Sequence, residues 1–199
     1  MKERVKYMKK LNRKGFTLIE LLAVITIMGI LMLVAIPAVS RTIENSRRDT
    51  FGDVAKSYLN AVRNSILADE FKCETGVADK YETVSATGEG TYFFKISSED
   101  PDSDSNQIME SGGKSSWGNA EVEGYVKWIK DTDDTNEEAG QMTKITYSIL
   151  LVDTASHGLD EETSENDITR TSVKTKADFK VGGVTYPTSS NEVHECKLK

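Results

Sequence analysis

Twenty consecutive residues without a charge, Leu21 to Ser40, limit what this 199-residue chain can be more than any other feature. As a helix rising 1.5 Å per residue, the run reaches about 30 Å, the thickness of a bilayer's hydrocarbon core. Residues 1–15, just before it, hold seven Lys/Arg and one Glu, a net +6; the total is −7, so −13 falls on the rest. A basic end before an apolar run keeps the N-terminus cytoplasmic and sends the acidic body across the membrane. An acidic body repels nucleic acid backbones, so nucleic acid is not expected as the main ligand.

Glu20, directly ahead of the run, is the anomaly. A secretory signal peptide would account for the basic end and the apolar core, with Ala38 and Ser40 as small residues before a cut. A plain uncleaved anchor would account for them equally well. Neither explains a carboxylate at the head of the span or a glycine, Gly15, between leader and span. A Glu at this depth can also snorkel to the headgroups.

The stretch KGFTLIELL, Lys14 to Leu22, with Pro37 further along the span, resembles the class III signal of type IV prepilins and pseudopilins. The resemblance covers Met1 to about Ile43. It implies that a membrane prepilin peptidase cuts between Gly15 and Phe16, where a residue without a Cβ lets the enzyme approach the backbone. It also implies that Phe16 becomes an N-methylated, cationic N-terminus. Glu20 then neutralises that amine on a neighbouring subunit during assembly, because an unpaired carboxylate in hydrocarbon costs several kcal/mol. The partners implied are copies of the chain and other pilins, the prepilin peptidase, an inner-membrane platform protein and an assembly ATPase. The location implied is the membrane first, with a cytoplasmic N-terminus, and then an extracellular pilus or cell-envelope filament.

Beyond Ser40 the apolar residues Ile43, Phe51, Val54, Tyr58, Val62 and Ile66 recur mostly at steps of three and four among charged neighbours. That spacing predicts that the helix continues as an amphipathic segment to about Phe71, on the order of 80 Å in all. Gly29 and Pro37 are weak points at which it could bend, Pro37 lacking the N–H that would bond Leu33.

After Cys73 the stretch to about residue 90 reads as a connecting loop. Period-two alternation then marks strands at Tyr92, Phe94 and Ile96; at Val122, Val126 and Trp128; at Ile145, Tyr147, Ile149 and Leu151; and from Thr171 to Val181. Gly182-Gly183 reads as a hairpin turn into a strand from Val184 to Pro187. In the strand from Thr169 to Val181, Arg170, Lys174, Lys176 and Lys180 share one parity and form a candidate contact patch, or a solvated edge.

The fold expected is α+β: a long N-terminal helix, its first half transmembrane and its second half amphipathic, packed on an antiparallel sheet, as in type IV pilins. The expected divisions are a cleaved basic leader at 1–15, a transmembrane and filament-core helix at 16–40, its amphipathic half at 41–72 and a head at 73–199. Cys73 and Cys196 are either bridged or two separate thiols, and no CxxC spacing exists. His157 and His194 form no ligand cluster. The stretches 100–107 and 131–138 lack the Gly and Glu of a calcium loop. No nucleophile–base pair or phosphate loop appears, so neither enzyme activity nor a cofactor is expected. The function expected is a pilin or minor pilin. The alternatives are a pseudopilin of a type II secretion or competence machine, and a surface adhesion module carried on a pilus.

Overall fold

The computed structural model describes residues 15–74, 81–84, 87–96, 108, 122–133, 142–153, 157–175, 184–188 and 193–199. The chain divides into two compact units, Met1–Ile43 and Glu44–Lys199. One helix, α1, is Leu18–Leu67.

In the first unit α1 buries nothing. Its most apolar window of 18 residues has a mean hydropathy of 2.7 and is wholly unburied within the protein. It is the one helix among the described residues long and apolar enough to cross a membrane. The helix is unbroken through Gly29 and Pro37. Around the proline, Ser40 Oγ donates to the Ile36 carbonyl (3.0 Å) and Thr42 Oγ1 to the Ala38 carbonyl (3.0 Å), so both hydroxyls are satisfied by the helix's own carbonyls.

In the second unit the stripe of α1 anticipated from its spacing is the core face from Phe51 on, whereas Ile43, expected in the same stripe, is exposed. Phe51, Ala55, Tyr58, Leu59, Val62 and Ile66 are buried with Phe71, Phe94, Val126, Trp128, Ile149 and Leu151 of the sheet. The helix stops at Leu67, not Phe71, because Asp69 takes a left-handed φ of 58°. Glu70 N–H then reaches back to the Ser65 carbonyl (2.9 Å) and Asp69 N–H to that of Ile66 (3.1 Å), closing a Schellman turn. Asp is among the few residues that tolerate this conformation.

The chain goes directly from that turn into β1 (Phe71–Glu74), followed by β2 (Tyr81–Thr83), β3 (Gly90–Ile96), β4 (Val122–Asp133), β5 (Met142–Asp153), β6 (His157–Leu159), β7 (Thr163–Ser164), a 3-10 turn (Glu165–Asp167), β8 (Val173–Thr175) and β9 (Val193–Leu198). The sheet order is β2-β1-β9-β3-β4-β5-β6-β8, with β7 on β5. The fold is therefore α+β, with a mixed, mostly antiparallel sheet; β3 and β9 are the parallel pair. The last strand is inserted between β1 and β3, and the disulfide Cys73–Cys196 joins directly opposed residues of β1 and β9. This bridge closes a loop of 123 residues. In the chain-entropy model such a loop contributes about 4–5 kcal/mol. Reductant is therefore expected to lower the melting temperature by about 10 °C or more. An unchanged melt after complete reduction would contradict that role.

Three sequence expectations change in the head. The stretch 73–90 is not all loop, since it contains the end of β1 and the whole of β2. Val184 to Pro187 forms no strand. Pro187 has no N–H to give a ladder, and Tyr186 instead lies over the sheet, its hydroxyl 3.4 Å from the Ile96 carbonyl. The strand expected from Thr169 begins only at Val173. Before it, Ser172 Oγ accepts from Thr169 N–H (2.9 Å) and donates to the Thr169 carbonyl (2.8 Å), a local turn that competes with the ladder. The Gly182-Gly183 turn lies outside the described residues.

The segment 157–175 is tied to α1 by ion pairs and by a His157–Glu44 hydrogen bond. Arg63 pairs with Glu165, Arg170 with Asp49, and Glu44 meets both Arg48 (3.2 Å) and His157 (3.1 Å). Hydrogen bonds from Arg63 and Arg170 hold the Glu165 and Asp49 carboxyls below the usual range. A carboxyl with a depressed folded pKa stabilises the fold above its ordinary value, about 4, and loses that contribution as pH falls through the folded value. The hydrogen-exchange protection of 157–175 is therefore expected to fall below about pH 4 before that of the β3–β4–β5 ladder does. Equal acid sensitivity in both regions would contradict this. The Arg170–Asp49 pair is exposed and the Arg63–Glu165 pair half-buried, so the effect is local and modest.

Candidate functional site

The candidate site is the start of α1. Thr17 is its N-cap: the Thr17 carbonyl accepts the Leu21 N–H (3.2 Å), and Thr17 Oγ1 accepts the Glu20 N–H (3.3 Å). Glu20 reciprocates. Its Oε2 accepts both the Thr17 N–H (2.8 Å) and the Thr17 hydroxyl (2.8 Å). Thr17-Leu-Ile-Glu20 is thus a capping box, in which two residues three apart satisfy each other's exposed donors. Sequence reasoning weighed Glu20 as a charge in or near the membrane and missed this role. The Ser/Thr-x-x-Glu spacing before an apolar run was the signal.

The cap uses one carboxylate oxygen. Among the described residues Glu20 Oε1 accepts no hydrogen bond, so it can take a further donor without undoing the helix start. Next to it the backbone is open. Phe16 is 90% exposed, and a Cβ placed on Gly15 would meet nothing within 4 Å. The junction Gly15–Phe16 lies in irregular, exposed chain ahead of the first turn, open to an enzyme.

Residues 10–36 match the family model described as the prokaryotic N-terminal methylation motif. The chain carries the class III signal of type IV pilins and pseudopilins. That signal spans the junction, the capping box and most of the apolar run. No curated protein and no solved structure matches the chain. With the signal at one end and an apolar helix behind it, the chain fits a membrane-anchored, pilin-type protein.

The other sequence candidates separate. Gly29 and Pro37 lie within α1, beyond the capped turn. Cys196 is consumed by the disulfide, which removes it as a metal thiolate beside His194. Among the described residues no cluster of His, Cys, Asp and Glu could hold a metal; residues 100–107 lie outside them. Of the candidate basic stripe, Arg170 and Lys174 are among the described residues. Arg170 sits in the turn before β8, paired with Asp49, and Lys174 Nζ donates to the Thr171 carbonyl (3.1 Å). Lys176 and Lys180 are outside the described residues. Alternation does not place Arg170, because residues 169–172 are a turn, in which side chains do not alternate.

Proposed function

We propose that this chain is a structural subunit, a type IV pilin or minor pilin, polymerised through its apolar N-terminal helix into an extracellular filament after cleavage at Gly15–Phe16. It is not an enzyme and takes no cofactor. The observation that carries the reading is the methylation motif seated on a capped helix start whose Glu20 keeps one oxygen uncommitted. In this reading that oxygen accepts the N-methylated amine of Phe16 from a neighbouring copy, so that two charges enter the filament core as a pair instead of singly. The prepilin peptidase, an inner-membrane platform protein and an assembly ATPase are the partners this requires.

A pseudopilin uses the same junction, and an adhesive subunit would add a ligand at the head. Electron microscopy with an antibody to the head separates them. Long labelled surface fibres are expected for a pilin and labelled tips for a minor pilin. Absence of the label from all surface fibres would overturn the reading in favour of a pseudopilin.

A further inference from the structure

The Cys73–Cys196 disulfide is enclosed while the sheet is closed. Cys73 is 0% exposed and Cys196 1%, and both belong to the core cluster that holds Phe71, Phe94 and Trp128. Thiol–disulfide exchange needs a thiolate to meet one of the two sulfurs directly. Part of the head must therefore move before this bond is made or broken.

The register shows which part is held least. Val193–Cys196 of β9 lie on β3, and Cys196–Leu198 lie on β1. Cys196 is the one residue of β9 registered on both neighbours, and it carries the disulfide. On either side of it each half of β9 is laddered to a single strand. Burial adds little. Cys196 is the only fully buried side chain of β9, while His194 and Leu198 are half-buried. The His194 ring lies 5.4 Å from that of Tyr92, and Leu198 packs at the margin of the core.

The flanking strands have anchors of their own. Phe71 of β1 is fully buried, its ring 5.0 Å from that of Phe94 and 5.8 Å from that of Trp128. β1 also follows α1 after three residues. β3 buries Tyr92, Phe93, Phe94 and Ile96 and is paired with β4 from Gly90 to Ile96. Loss of the β9 ladders leaves all of these contacts in place.

We infer that β9 is a gate over the disulfide: Cys73 and Cys196 exchange with thiols or disulfides only while the two halves of this strand are out of their ladders, with α1 and β3–β5 still folded. Openings of this kind cost less free energy than global unfolding. The gate imposes an order, oxidation of the open strand and then closure. One cysteine thiolate attacks the disulfide of an oxidant and releases its first sulfur as a thiolate. The second cysteine then displaces the oxidant's other sulfur, so the protein gives up two electrons and two protons and the oxidant leaves as two thiols. Reduction by a dithiol runs in reverse and needs the same opening. The gate does not depend on the filament-subunit reading, because it acts within one chain.

The test compares two slowing factors on the full-length oxidised chain in detergent. One is the rate of reduction by dithiothreitol relative to an exposed reference, a disulfide-linked pair of peptides with the sequences Phe71–Glu74 and Val193–Leu198. The other is the amide hydrogen-exchange protection of Val193–Leu198, with that of β4 and β5 measured alongside. Reduction is expected to be slowed by the same factor as exchange in β9, and about a hundredfold less than exchange in β4 and β5. Leu198→Ala is expected to lower both β9 factors together, by about tenfold, and to leave β4 and β5 unchanged. If that variant disturbs the near-ultraviolet circular dichroism, His194→Ala replaces it with the same paired fall expected. Reduction as fast as in the reference peptides would show that the sulfurs are reached with the strand closed, and would overturn the gate. Reduction slowed as strongly as exchange in β4 and β5 would show that only global unfolding frees the bond, and would overturn it as well. So would a variant that loosens β9 without speeding reduction.

Discussion

Alanine at Gly124 is expected to lower the melting temperature of the detergent-solubilised chain by about 10 °C or more, or to prevent folding of the head. Gly124 sits inside β4, opposite Leu151 of β5 and Ile96 of β3. A Cβ there would lie 2.0 Å from the Leu150 carbonyl oxygen and 2.9 Å from both the Leu150 carbonyl carbon and the Leu151 Cα. These are backbone atoms of a paired strand, and no rotamer change relieves them. Relief requires β4 and β5 to part where Val122, Val126, Ile149 and Leu151 close the core. Overpacking of this kind costs about 3 kcal/mol or more. The melt followed by near-ultraviolet circular dichroism checks it. A wild-type melt from Gly124→Ala would mean that the two strands are not this close.

That glycine marks how far the sequence could be read. β3, β4 and β5 were legible because each alternates apolar and polar residues over a long run, and Trp128 and Ile149 fall on the face alternation assigns to the core. The helix stripe was legible for the same reason. β9 was not. In Val193–Leu198 its inward positions are His194, Cys196 and Leu198, two of them not hydrocarbon, so no apolar pattern announces a strand that fills the gap between β1 and β3. β1 was hidden because it follows the helix after a turn of three residues. At the N-terminus the junction was plain from its motif, whereas the capping box was overlooked because a carboxylate beside an apolar run draws attention to its charge before its hydrogen bonds.

The capping box also makes the assembly prediction sharper. Glu20→Gln keeps an oxygen for the Thr17 N–H and hydroxyl, so the helix start should survive. It removes the charge that would meet a neighbouring amine. Glu20→Ala removes both, and loss of the cap alone is worth about 1 kcal/mol. Both variants should enter the membrane at least as well as the wild type, because a span that loses a charge becomes more apolar. Filament yield, normalised to the membrane-bound pool, is expected to fall at least tenfold in both. Normal filaments from Glu20→Gln with a defect in Glu20→Ala would assign Glu20 to the cap and not to the pair. Normal filaments from both would remove it from assembly altogether.

Every step of this account follows from a cut that retains the apolar helix. An ordinary signal peptidase would discard that helix, and a plain anchor would keep the basic leader with it. The intact mass of the purified protein, with sequencing of its first residues, distinguishes the three outcomes directly. The account predicts loss of residues 1–15 and a mature chain beginning at N-methylated Phe16, with Thr17 and Glu20 still capping α1. A chain beginning at Arg41, or one that retains its leader, would contradict it.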